Sequence, residues 1–503
     1  MSEQNSTTAY TTLKSRFARL SALGGAQAVL HWDRATMMPE GGASARAEQQ
    51  ATLSLIAHET LNAPDTADLL ASARDSAEAL ADWDRANLNE MGRIHRHATA
   101  TPTDLVSKLS YQKSKTEMIW RKARAANDFA SLAPELTALL ALVREQAAAK
   151  AAAFGLTPYD ALLDGYDPDR RSADIDRLFT ELETFLPDLL KRVMDKQASA
   201  PQPLPLKGPF SIPLQEELGR DVMGSLGFDF AHGRLDVSHH PFTGGVPDDS
   251  RITTRYDESD FMESLMAVIH ETGHSLYERG LPADWRNQPV GRSRGMTIHE
   301  SQSLLFEMQA GRSTEFISAL APRLKKIFGG EGEAWSPENI LRHYRQVGPS
   351  LIRVSADEIT YPLHVILRYR LERAMIAGDL VPADLPAAWG EGMNTLLGIT
   401  PPDDVDGCMQ DIHWPSGSFG YFPTYTLGAL VAAQLFASAG KARNNLGNEL
   451  GKARFVELTS WVREHVHGVG SSRTPDEIIL AATGAPLGTA AFKSHLEARY
   501  LAS

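Results

Sequence analysis

The chain has 503 residues, 43% of them hydrophobic and 22% charged, enough for a large buried core in one big domain or a few smaller ones. The net charge is −13, from 50 basic and 63 acidic residues, and no dense basic run stands out, which argues against a nucleic-acid partner. A single cysteine, Cys408, excludes an intramolecular disulfide and a cysteine-based zinc cluster.

The N-terminal stretch is polar and lacks the apolar segment of a secretory signal, and no run of about 18 apolar residues suggests a membrane span. The expected location is the cytoplasm. From residue 8 to 195 the chain reads as mostly helical. Residues 47–61, 103–125 and 132–154 combine strong helix formers with apolar residues three and four apart. The proline-rich stretch 201–213 must be a connector. Residues 233–256, with β-branched residues, a Gly-Gly pair and a proline, predict two or three short strands. Helical patterns then return and dominate to the C-terminus, interrupted by a loop at 399–424 rich in Pro, Gly and aromatics. The fold class is mainly α with a small β insertion.

The helix after the insertion carries IHETGHSLYERG, residues 269–280. Asp260 can cap its start, with Glu263 as a capping-box partner, and Gly280 can end it. His270 and His274 then lie one turn apart on one face, a spacing that lets two imidazoles reach one zinc ion. Glu271 projects beside them, where it can take a proton from water activated by the metal. The bland alternative is a helix with one core and one surface histidine. Catalytic zinc usually has a third protein ligand. Glu300 is a candidate; the alternatives are that His299 is the ligand, or that Glu300 closes a capping box with Thr297.

Several ordered blocks resemble the M32 metallocarboxypeptidases: HPF (240–242), DSRIT (249–253), HETGH (270–274), HES (299–301), IRVSAD (352–357) and GCMQDIHW (407–414). Residues 32–49 and 420–428 are also similar, so the likeness spans nearly the whole chain. The resemblance implies a helical fold with a deep groove, a single peptidase domain over 1–503 with possible lobes at about 1–200 and 201–503, and a homodimer. It implies a Zn²⁺- or Co²⁺-dependent enzyme that removes single C-terminal residues from peptides with broad specificity. His270, His274 and Glu300 would hold the metal, and Glu271 would be the general base.

The remaining blocks can be read against that chemistry. Peptide hydrolysis needs a donor for the developing oxyanion, and His413 and the Tyr421 hydroxyl are candidates. Each could instead be packing, His413 on Trp414 and Tyr421 in its loop. A carboxypeptidase also needs a cation for the terminal carboxylate, and an arginine fork suits it. By its position in the block that resembles the family, Arg353 is the first candidate, against a structural pair with Asp357 four residues on. Arg251 is the second, against a bridge to Asp249, and His240 could line the pocket or brace the insertion. Asp357 and Glu307 are chemically suited to orient the zinc histidines, with nothing to select them. Cys408 reads as a small packed residue. The runner-up function is a helical zinc endopeptidase or oligopeptidase, and a third is a non-catalytic helical scaffold.

Overall fold

Helix formers on a three-and-four apolar spacing leave little room for strands, and the computed structural model, which describes residues 2–502 and side chains from residue 8, is mainly helical. Its first half runs α1 (Ser2–Thr36), α2 (Ala43–Leu61), α3 (Thr66–Arg74), α4 (Asp82–Thr99), α5 (Thr103–Ala126), α6 (Phe129–Phe154), α7 (Pro158–Leu163), α8 (Ser172–Ser199) and α9 (Ile212–Leu226). Then come β1 (Gly233–Val237), β2 (Phe242–Val246) and β3 (Asp249–Thr254). The second half runs α10 (Phe261–Gly280), α11 (Gly295–Leu304), α12 (Thr314–Ile327), α13 (Pro337–Tyr344), α14 (Tyr361–Ala377), α15 (Leu385–Leu397) and α16 (Pro423–Ala442), with four further helices between Leu446 and Tyr500. The expected mainly-α class with a small insertion at 233–256 is what the chain adopts.

The three strands form one sheet in the order β1-β3-β2, with β1 parallel and β2 antiparallel to β3. Ile252 on β3 and Leu235 on β1 pack with Val268 of α10, so the sheet sits against the helix that carries the two histidines. On its other faces α10 buries Phe261, Leu265, Ile269 and Leu276 in the main core. Burying each such side chain stabilises the fold by roughly 1.5–3 kcal/mol, which fixes the rotation of α10 and with it the direction of its polar residues. The main core is continuous from Leu105 to Tyr500, while α1, α3 and α4 share a smaller cluster around Leu13, Phe17, Leu88 and Met91.

Local details differ from the sequence reading. Asp260 caps α10 by accepting from the Met262 N–H, but Glu263 lies near Arg255 at 3.5 Å instead of completing a capping box. Thr297 lies inside α11 and donates to Asp167, so the Thr297–Glu300 cap does not form. The 399–424 loop ends where Pro423 takes the first position of α16, a position that needs no N–H donor. Among the described residues no helix is long and apolar enough to cross a membrane.

Candidate active site

Because His270 and His274 are four apart on a helix locked by the core, both imidazoles leave α10 on one side. Glu300 comes to meet them from α11. Donor atoms of the three residues lie within 4.8 Å of one another. Glu300 Oε2 stands 3.5 Å from His274 Nε2 and 3.9 Å from His270 Nε2. The three helices approach this closely because of two glycines. A Cβ on Gly273 would sit 2.7 Å from the Gln302 carbonyl oxygen of α11, and one on Gly428 of α16 would sit 2.7 Å from Glu300 Cγ.

The far side of each imidazole is held. His270 Nδ1 donates to Glu307 Oε2 at 2.9 Å, and Glu307 also accepts from Arg312. Glu307 lies in a π-helical turn, Leu305–Gly311, that follows α11. His274 Nδ1 meets His299 Nδ1 at 2.7 Å, and His299 Nε2 meets Glu278 Oε1 at 3.0 Å. The carboxylate at the end of that relay can only accept, so the network places protons on His299 Nε2 and His274 Nδ1. The outer nitrogens are thus the ones engaged by the protein, and the two Nε2 atoms that face Glu300 are left to hold either a proton or a metal ion. Two neutral imidazoles and one carboxylate, with their outer nitrogens fixed, are a donor set that fits Zn²⁺ or Co²⁺.

The charges are strongly coupled. Burial raises the Glu300 carboxyl pKa, but the His274 hydrogen bond and the charges of His270, His274 and His299 outweigh it and leave it at about 2. Burial lowers the His270 pKa, but the Glu307 hydrogen bond and the charges of Glu300, Glu307 and Glu271 lift it to about 10. Near pH 7 His270 therefore carries a second proton, which a metal ion bound at Nε2 would displace.

Glu271 is buried beside the trio, and Thr243 of β2 holds it, donating at 2.7 Å to Oε2 and at 2.8 Å to the Glu271 carbonyl. The β insertion thus aims this carboxylate.

A second polar group centres on Asp411 of the 399–422 loop. Asp411 Oδ1 accepts from Arg353 Nε and Nη2 at 3.1 and 2.8 Å, and Oδ2 accepts from Arg368 Nε of α14 at 2.5 Å. Arg353 lies in a short 3₁₀ turn and pairs with Asp411; Asp357 instead accepts from the N–H groups of Gly348, Ile359 and Thr360. Arg353 Nη1 donates to the Tyr361 hydroxyl at 2.9 Å. A guanidinium has five N–H groups; three are used, which leaves one on each Nη for an incoming acceptor. Burial, a lowering by the Arg353 charge and a raising by the Glu300 charge together put the Tyr361 pKa at about 12, so Tyr361 lies within electrostatic reach of both clusters.

His413 Nε2 is 3.1 Å from the Tyr425 hydroxyl, and its ring packs at a tilt against Phe422, with centroids 4.3 Å apart. Burial lowers its pKa to about 4 despite the Asp411 charge, so the imidazole is neutral near pH 7. Tyr421 packs edge-on against Tyr166 and Tyr425, and burial, with the Glu300 charge, raises its pKa. The structure thus gathers His413, Tyr421 and Arg353 around one set of tyrosines.

Arg251 and His240 lie elsewhere, on the β insertion. Arg251 forms the Asp249 bridge at 2.8 Å and stacks over Trp32 of α1 at 4.2 Å. His240 is exposed, its ring against His239, while its carbonyl accepts from Ser238. Cys408 is buried and its thiol pKa is raised by burial, as suits a packing residue. The sequence reading missed Glu278 and the orienting part of His299, although Glu278 is one turn from His274 on the same face. It also missed Arg368, which no motif marks.

Helices that close on two imidazoles and a carboxylate, with a second carboxylate fastened alongside, are the architecture of a helical metallopeptidase. The family model described as Carboxypeptidase Taq (M32) metallopeptidase matches residues 12–500. Thermostable carboxypeptidase 1 of Thermus thermophilus is 37% identical over 96% of both chains, and that of Pyrococcus furiosus is 35% identical over 97% of both. Among solved structures, Trypanosoma cruzi metallocarboxypeptidase 1 superposes with a TM-score of 0.96 at 40% identity, covering 98% of this chain and 99% of that one. The M32 carboxypeptidase of Deinococcus radiodurans superposes at 0.92 with 34% identity over 98% and 99% of the two chains. The chain belongs to the M32 family and is a carboxypeptidase of that metallopeptidase family.

Proposed function

We propose that the protein removes single C-terminal residues from peptides with broad specificity, using Zn²⁺ or Co²⁺ held by His270, His274 and Glu300. The observation that carries this reading is the convergence of those three donors, each histidine pinned through its outer nitrogen. When bound, a divalent ion there supplies a Lewis acid and lowers the pKa of water. Glu271, aimed by Thr243, accepts the proton of the attacking water and returns it to the leaving amine. Neutral His413 and the protonated Tyr421 hydroxyl offer donors to the carbonyl oxygen as charge develops.

Arg353 takes the substrate's terminal carboxylate through its two remaining Nη–H groups, a bidentate contact that a lysine could not reproduce. Asp411 and Arg368 hold that fork in place, and one carboxylate shared by two guanidinium groups leaves a net positive charge for an anion to meet. Arg251 lies on the β insertion, where its block limits substrate entry to a chain end, and His240 of the same insertion lines the pocket. The whole chain acts as one peptidase domain whose lobes, about 1–200 and 201–503, flank the groove, and it works as a homodimer.

The test uses matched peptides with free-acid and amidated C-termini, before and after chelation. Free-acid peptides are cleaved one residue at a time, activity is lost with chelator, and Zn²⁺ or Co²⁺ restores it. Equal cleavage of the amidated peptides would instead make the protein an endopeptidase or oligopeptidase.

A further inference from the structure

Three donors converge on one buried carboxylate outside both clusters. Glu372 of α14 is fully buried. Its Oε1 accepts from the Tyr159 hydroxyl of α7 at 2.5 Å and from the Gly420 N–H at 3.2 Å, and its Oε2 accepts from Trp414 Nε1 at 3.2 Å. Trp414 follows His413 in the chain, and Gly420 precedes Tyr421. The segment between them turns back on itself, with the Ser418 N–H donating to the His413 carbonyl at 2.7 Å. One carboxylate therefore clasps both feet of the loop. Gly420 takes φ +88°, and a Cβ there would sit 2.8 Å from the Leu163 nitrogen, so the second foot is pressed against the end of α7.

We propose that Glu372 is a positioning residue that sets the relative placement of His413 and Tyr421. This rests on the catalytic reading of those two side chains. Fully buried carboxylates are costly unless their acceptors are used. Burial does push the Glu372 carboxyl up to about 7 against its three hydrogen bonds. Gly420 and Trp414 can only donate, so the clasp needs acceptors on both oxygens.

That requirement gives the test. Glu372→Gln keeps the shape but must turn an amide N–H₂ toward at least one obligate donor. Trp414→Phe removes the donor that faces Oε2, so the double variant can keep the amide oxygen on Tyr159 and Gly420. Single-turnover and steady-state kinetics are measured per metal-loaded molecule, with Tm, metal content and the crystal structure of each variant. Glu372→Gln is expected to lower kcat at least tenfold with KM and metal content near wild type and with the His413 ring displaced. Adding Trp414→Phe recovers part of that loss. The milder Tyr159→Phe, which removes one donor and no charge, lowers kcat at least threefold. A kcat within twofold of wild type in both Glu372→Gln and Tyr159→Phe, or no recovery in the double variant, overturns the proposal. His413→Ala and Tyr421→Phe are measured alongside. Wild-type turnover in those two overturns the catalytic reading itself, whereas loss there with none in Glu372→Gln overturns the positioning role alone.

Discussion

Gly428→Ala asks whether close packing of α16 on α11 sets the metal site. The added methyl would lie 2.7 Å from Glu300 Cγ and 2.8 Å from its Cβ. Carbon atoms are comfortable at about 3.5–4.0 Å, so the Glu300 arm must retreat by roughly 1 Å. Metal–ligand bonds tolerate about 0.2 Å. The carboxylate should therefore leave bonding range of an ion held by His270 and His274, and metal affinity should fall at least tenfold, on the order of the loss when a ligand's support is removed. Overpacking itself should cost about 1–3 kcal/mol, so the protein stays folded. The assay is competition with a chelator of known affinity, with thermal unfolding in parallel. Gly440→Ala on the same helix is the control, since nothing lies within 4 Å of a Cβ there. Metal affinity within twofold of wild type in folded Gly428→Ala would refute the reasoning.

Glu271→Gln should bind metal at wild-type stoichiometry and lose roughly 10²–10⁴ in kcat, the range for a general base; peptide turnover with metal analysis checks it. His299→Phe removes the group that meets His274 Nδ1 and should weaken metal binding by about 10–100-fold, read by the same chelator competition. The Asp164 pKa balances burial, which raises it, against the His97 hydrogen bond and the Asp169 N–H, which win and leave it at about 2, below its usual 3.8. A depressed folded pKa means stability that is present above about pH 4 and lost as pH falls toward about 2. Allowing for screening, Asp164→Asn should cost roughly 1–2 kcal/mol at pH 7, and the gap from wild type should narrow only below about pH 4 in denaturant titrations.

What could be read in the sequence was what is local. A four-residue spacing on a helix places His270 and His274 on one face with no knowledge of the rest of the fold. Glu300 could not be separated from His299 by spacing, because both are adjacent on α11; the structure turns Glu300 to the Nε2 atoms and His299 to the back of His274. Glu307 was chemically suitable but became a partner of His270 only through packing of the turn after α11 on α10. For Arg353 the alternative to carboxylate binding was a local pair with Asp357, and that pair does not form: a 3₁₀ turn and a loop 58 residues away give it Asp411 instead. Contacts across such separations, Glu372 with Trp414 among them, depend on how helices pack and leave no periodic trace.

The central claim is that His270, His274 and Glu300 together grip one divalent ion. Anomalous diffraction at the zinc edge, from crystals grown with Zn²⁺, tests it most directly. The account predicts one strong peak per chain about 2.0–2.2 Å from both Nε2 atoms and from a Glu300 oxygen. A peak bonded to His299 with Glu300 turned away, or no peak among these side chains at full metal loading, would contradict it.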